Sequence, residues 1–165
     1  MWLPRSVLVL SAVLLAGCAT RDDVSVTHAY DPLVRFPAEA TYSWNVAASS
    51  LPDDPALDRG EIDALLKDVA NEAFAARGYR VAPPPAPYEL SYHYVVNTRI
   101  AADRSKSVGS LSLQLAESAS GRRVWVGFGR AEIYVGLTPE ERRARLRDAF
   151  ERMLADFPPT QRPAE

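Results

Sequence analysis

Two histidines, one cysteine and a few adjacent carboxylates are the side chains in this 165-residue chain whose chemistry could support a reaction. His28 and His93 lie far apart, and neither sits at i, i+4 or HExxH spacing with a second ligand, so no metal centre is expected. Asp22-Asp23 and Asp53-Asp54 pair carboxylates in loop-like stretches, whereas acid–base catalysis needs burial to move a pKa. No GxSxG or SxxK marks a nucleophilic serine. Gly127-Phe128-Gly129 lacks the third glycine of a dinucleotide fingerprint and falls in a strand pattern, not ahead of a helix. The expectation is a non-enzyme with no catalytic residues, no metal and no cofactor. With 19 basic and 21 acidic residues the net charge is −2, so the basic excess that nucleic-acid binding requires is missing.

Cys18 offers different chemistry. Arg5 gives a short positive start, and Ser6–Ala16 is an uncharged run dominated by Val, Leu and Ala. About twenty apolar residues span a bilayer as a helix, so this run is too short for a permanent span and fits the apolar region of a signal peptide. Leu15-Ala16-Gly17-Cys18 resembles the lipobox of bacterial lipoproteins. That resemblance implies cleavage after Gly17 and diacylglycerol on the Cys18 sulfur, so that membrane lipid becomes the first partner. An ordinary signal peptide ahead of a free cysteine is the alternative. Two or more acyl chains anchor stably. In enterobacterial lipoproteins an Asp after the cysteine favours inner-membrane retention, so Ala19 points to the outer membrane, facing the periplasm of the bacterial envelope. The tether Ala19–Asp23 reaches less than about 20 Å, which keeps the domain beside the membrane.

The elements behind these residues follow from periodicity. Val24–Tyr30 alternates and reads as a strand, and Thr41–Val46 is β-branched and aromatic. Ile62, Leu65, Leu66, Val69, Ala73 and Phe74 form one apolar stripe over a helix at 59–77, with Gly78 as its C-terminal cap. Tyr79–Val81 starts a short strand that the prolines at 83–87 end. Those prolines form a stiff connector rather than a ligand for a proline-recognising domain. Glu89–Asn97 and Val108–Glu117 alternate, Ser118–Gly121 turns the chain, and a strand runs over 122–134. Thr138-Pro139-Glu140-Glu141 is a helix start with a capping box, and the stripe Leu146, Ala149, Phe150, Met153, Leu154 and Phe157 follows.

Alternation in the strands implies a sheet with one buried face, and two amphipathic helices suffice to cover it. The expected fold is α+β in two layers: a mostly antiparallel sheet of about five or six strands with two helices packed on one face. Residues 1–17 read as a signal peptide, 18–23 as the lipidated N-terminus and tether, 24–159 as one domain, and 160–165 as a flexible tail.

Two surface features invite a partner. In the arginine-rich helix start, Glu141–Arg145 and Asp148–Arg152 can pair at i, i+4, which makes a solvated, salt-paired face the expected outcome. In the last strand Val124, Val126 and Phe128 share one face, leaving Trp125, Gly127 and Gly129 on the other. If registers agree, that second face also carries His93, Ser112 and Gln114. A Trp on a glycine-flattened polar face is a candidate platform for an envelope protein partner, whereas a covering segment would make it structural.

Several pieces taken in order resemble a bacterial lipoprotein family known as domain of unknown function family 4136. They are Tyr30-Asp31-Pro32, Phe36, Thr41-Tyr42-Ser43-Trp44, Arg77-Gly78-Tyr79, Tyr88-Glu89-Leu90-Ser91-Tyr92, Gly121-Arg122-Arg123-Val124-Trp125-Val126-Gly127, and Met153-Leu154-Ala155-Asp156-Phe157-Pro158-Pro159. Glu89 and Glu117 depart from it, since Asp is expected there. The resemblance implies an envelope lipoprotein with no established activity or cofactor. The expected function is a membrane-anchored, non-catalytic binding or maintenance module. The alternatives are a lipoprotein that binds a small molecule or lipid and, less favoured, a hydrolase.

Overall fold

The computed structural model describes residues 24–53, 58–101, 104–134 and 136–159. The signal peptide at 1–17, Cys18 with its tether and the tail at 160–165 lie outside the described residues. Six strands and two helices follow in the order β1 (Ser25–Tyr30), β2 (Ala40–Trp44), α1 (Arg59–Ala75), β3 (Tyr79–Val81), β4 (Tyr88–Ala101), β5 (Arg104–Glu117), β6 (Arg123–Ile133) and α2 (Pro139–Met153). They build the expected α+β fold, one sheet in the order β1-β6-β5-β4-β2-β3 with both helices on one face.

β1, β6, β5 and β4 pair antiparallel, and β2 lies parallel to both β4 and β3. The parallel edge has a local cause. α1 carries the chain from the end of β2 back to its start, so β3 runs in the same direction as β2. The return depends on Gly78, whose φ is +84° and whose missing Cβ would sit 2.3 Å from the Ala38 carbonyl oxygen. No other residue fits there without moving backbone.

Both helices begin as the residue types dictate. The Asp58 carboxylate accepts from the Glu61 N–H at 3.0 Å and caps α1. Thr138 and Glu141 form the reciprocal capping box of α2, with Pro139 in its first turn. The two N-termini lie at the same end of the molecule, where Arg142 meets Glu61 at 3.1 Å. Further along, Arg143 bridges Asp68 at 2.7 Å and Glu72 at 2.6 Å. These pairs are exposed and contribute little to stability, but they set the helices side by side. The arginine face therefore reaches across to α1 more than it pairs along α2. Asp148–Arg152 forms at 3.3 Å as expected. The Glu141–Arg145 pairing does not follow the expectation: Glu141 closes the cap, and Arg145 donates to the Glu132 carbonyl at 3.0 Å and lies over the Tyr134 ring.

Near the C-terminal ends of the helices the layer between sheet and helices is filled by rings. Phe157 lies 5.4 Å from Trp125, 5.3 Å from Phe74 and 4.8 Å from Tyr79, centroid to centroid, and Tyr42 packs 5.4 Å from Phe74. The guanidinium of Arg77 donates to the carbonyls of Leu154, Glu151 and Ala73, tying the end of α2 to α1.

Candidate functional site

The proposed face of Trp125, Gly127, Gly129 and His93 does not exist as one surface. On β6, Trp125 stands opposite Leu115, Gly127 opposite Leu113 and Gly129 opposite Leu111, so these three share the core face with the β5 leucines. His93 pairs with Ser112, and Ser112 with Phe128, which places His93 on the opposite, helix-free face. Trp125 is 2% exposed and packs against Phe74 and Phe157. The glycines do not flatten a docking platform; they make room inside. A Cβ on Gly127 would meet the Trp125 ring at 2.5 Å, and one on Gly129 would meet the Met153 methyl at 2.3 Å. Alternation alone does not fix the inward face of β6, because both of its faces carry apolar residues. A register shift opposite Leu115 and Ala116 also lets Val124 be buried alongside Trp125.

The titratable residues stay dispersed. The Nδ1 of His93 is 2.9 Å from the Ser50 hydroxyl, while His28 lies 3.4 Å from Asp156. Glu89 accepts from the Asn45 amide at 2.6 Å. Glu117 accepts from Ser120 and Arg122, hydrogen bonds that hold its carboxyl below the ordinary value. The carboxylates that could have completed a Ser–His pair are thus engaged elsewhere. Among the described residues no three His, Cys, Asp or Glu side chains gather as a metal site.

What the fold does build is a pocket of about 290 Å³ between the sheet, the N-terminal half of α1 and the α2 face that runs from Arg142 to Met153. α1 contributes Ile62, Leu65 and Leu66; α2 contributes Leu146, Ala149 and Met153. The floor comes from Tyr94 of β4, Gly109 and Leu111 of β5, and Gly129 and Ala131 of β6, with Val24 at the start of β1. Gly109 stands opposite Ala131 in the ladder, and its missing Cβ leaves room for the Tyr94 ring, which it would meet at 3.1 Å. Burial pushes the Tyr94 phenol up, which keeps it neutral. Arg130, Arg142 and Arg145 bring positive charge and Glu132 negative charge to an otherwise mostly apolar wall. A concave site of this size, apolar with a few polar groups, is suited to holding an apolar ligand, and no nucleophile lines it.

The helix stripes mark Ile62, Leu65, Leu66, Leu146, Ala149 and Met153 as inward-facing, but periodicity does not show that they and the strands leave a pocket between them. The one legible signal was glycine and alanine at inward positions of neighbouring strands.

A polar cluster on α1 borders the aromatic layer. The Tyr92 hydroxyl donates to Asp63 at 2.5 Å and Lys67 donates to it at 2.8 Å. Burial pushes the Asp63 carboxyl up, but the Lys67 and Tyr92 hydrogen bonds and the Lys67 charge outweigh it, leaving the pKa below its ordinary value.

Fold and site together define a two-layer α+β module with an apolar pocket between its layers. The family model for a domain of unknown function, DUF4136, matches residues 26–159, and the chain belongs to that family. No curated protein matches it in sequence. Among solved structures, it is similar to the PelC dodecamer from Paraburkholderia phytofirmans, with a TM-score of 0.52 and 16% identity over 80% of this chain and 96% of that one. A PDZ domain protein from Parabacteroides distasonis is similar with a TM-score of 0.53 and 10% identity, over 86% of this chain and 36% of that one. Lipoprotein GNA1162 from Neisseria meningitidis gives 0.47 and 16%, over 71% of this chain and 99% of that one. For the first two, at these identities, the likeness is one of fold.

Among the described residues no helix is long and apolar enough to cross a membrane.

Proposed function

We propose that this protein is a lipid-anchored envelope lipoprotein whose non-catalytic domain holds an apolar, lipid-like ligand between its sheet and helices. Leu15-Ala16-Gly17-Cys18 supports the anchor, and Ala19 supports the outer membrane as its site. The observation that carries the ligand reading is the pocket of about 290 Å³. An apolar ligand there would be removed from water at roughly 25 cal/mol per Å² of its surface. The reading of Trp125 as a partner platform is set aside, because the indole is buried.

The test is a titration of the mature chain, exported with a cleavable leader and carrying Cys18→Ser, with dansyl-undecanoic acid. Saturable one-to-one binding is expected. It should be lost in Ala131→Phe, which fills the floor, while the melting curve stays native. No binding, or non-saturable, detergent-like uptake alone, by the folded protein would overturn the reading.

A further inference from the structure

We infer that the pocket's occupant in the anchored protein is one acyl chain of its own Cys18-linked lipid. This deepens the proposed function and rests on it. Val24, the first described residue, is buried and lines the pocket. Its exit point is fixed: the Arg152 guanidinium donates to the Val24 carbonyl, and the β1–β6 ladder begins immediately afterwards at Ser25 opposite Arg130. Five residues separate Cys18 from Val24, a reach of less than about 20 Å. That length keeps a lipid on Cys18 within reach of the pocket edge at Val24.

Size and energetics favour a single alkyl chain from this source. The pocket is roughly twice the ~150 Å³ that holds one benzene ring in an engineered cavity, room for a stretch of one alkyl chain and not for two chains. Moving a chain from a bilayer into an apolar pocket changes its hydrophobic free energy little, so competition decides the occupant. A short covalent link makes the encounter of this chain with the pocket intramolecular. The other chain of the diacylglycerol stays in the bilayer, a single-chain contact that is reversible. Seating one chain inside would hold the pocket end of the domain, with Arg142 and Arg145, against the bilayer surface.

From Cys18 onward the chain contains a single methionine, Met153, and its side chain lines the pocket. Its ¹³C-labelled methyl group is a unique reporter. The acylated protein is reconstituted into nanodiscs of perdeuterated phospholipid, so that the Cys18-linked chains are the protonated acyl groups. Nuclear Overhauser cross-peaks between the Met153 methyl and acyl methylene protons are expected, and should vanish in both Ala131→Phe and Ala149→Phe. Cross-peaks that arise only with protonated nanodisc lipid would overturn the inference in favour of a bilayer lipid, leaving the ligand reading intact. Absence of cross-peaks with either lipid, while the Cys18→Ser chain still binds the dansyl probe, would also overturn it. Failure of that probe to bind would remove the ligand reading itself.

Discussion

The two ends of the layer between sheet and helices are made from the same elements and filled in opposite ways. At the C-terminal ends of α1 and α2, Tyr42, Phe74, Tyr79, Trp125 and Phe157 interlock, and each is at most 5% exposed. Toward the N-terminal end of α1 and along the facing side of α2, the inward positions Ala131 and Ala149 are small, and the larger side chains Ile62, Leu65 and Leu146 remain half-buried around a pocket. Protein interiors normally pack to crystal density, so one closed end can carry the stability that lets the other stay open. The contrast separates residues that hold the fold from residues free to meet a ligand.

The sharpest way to break this comparison is Trp125→Ala. Removing an indole from the packed end should cost about 3–5 kcal/mol in chemical denaturation. A cost below about 1 kcal/mol would mean that this end is not the keystone. Gly127→Leu tests the same end by overfilling, since its Cβ must displace the Trp125 ring, and should cost about 1–3 kcal/mol. At the open end, Thr138→Ala removes the α2 cap and should cost about 1 kcal/mol, with amide exchange rising in the first turn of α2 rather than around Phe157. Ala131→Phe, a far larger change in volume, should leave stability within about 1 kcal/mol of the parent, because it enters empty space. Its effect should fall on ligand binding alone.

The smallest expected effect is a pH dependence at Asp63. Its folded pKa lies below the ordinary 3.8, so its contribution is present above that value and is lost as pH falls through the folded pKa. Thermal melts between about pH 5 and pH 3 should show a steeper loss for the parent than for Asp63→Asn. Parallel slopes would remove Asp63 from the acid response.

Much of this architecture was legible from local pattern. The leucines at 111, 113 and 115, the stripe from Ile62 to Phe74 and the Thr138–Glu141 box each specify an element and its inward face without reference to the rest. β6 was not legible in this way. With Val126 and Phe128 on one face and Trp125 between glycines on the other, both faces offer a plausible interior. Only the ladder to β5 and the approach of Met153 decide between them. The parallel course of β2 was hidden for a related reason, because strand order is set by what the α1 crossover allows, not by any residue within β2. The pocket was least legible, since a void is defined by side chains that are absent.

The most direct test of an open end that accepts an apolar ligand is a crystal structure of the mature Cys18→Ser chain grown with decanoic acid. The account predicts an alkyl chain lying between Leu65 and Leu111 with its end near Met153, and an unaltered ring cluster around Trp125. A pocket that holds ordered water or has collapsed, with the acid bound elsewhere, would contradict it.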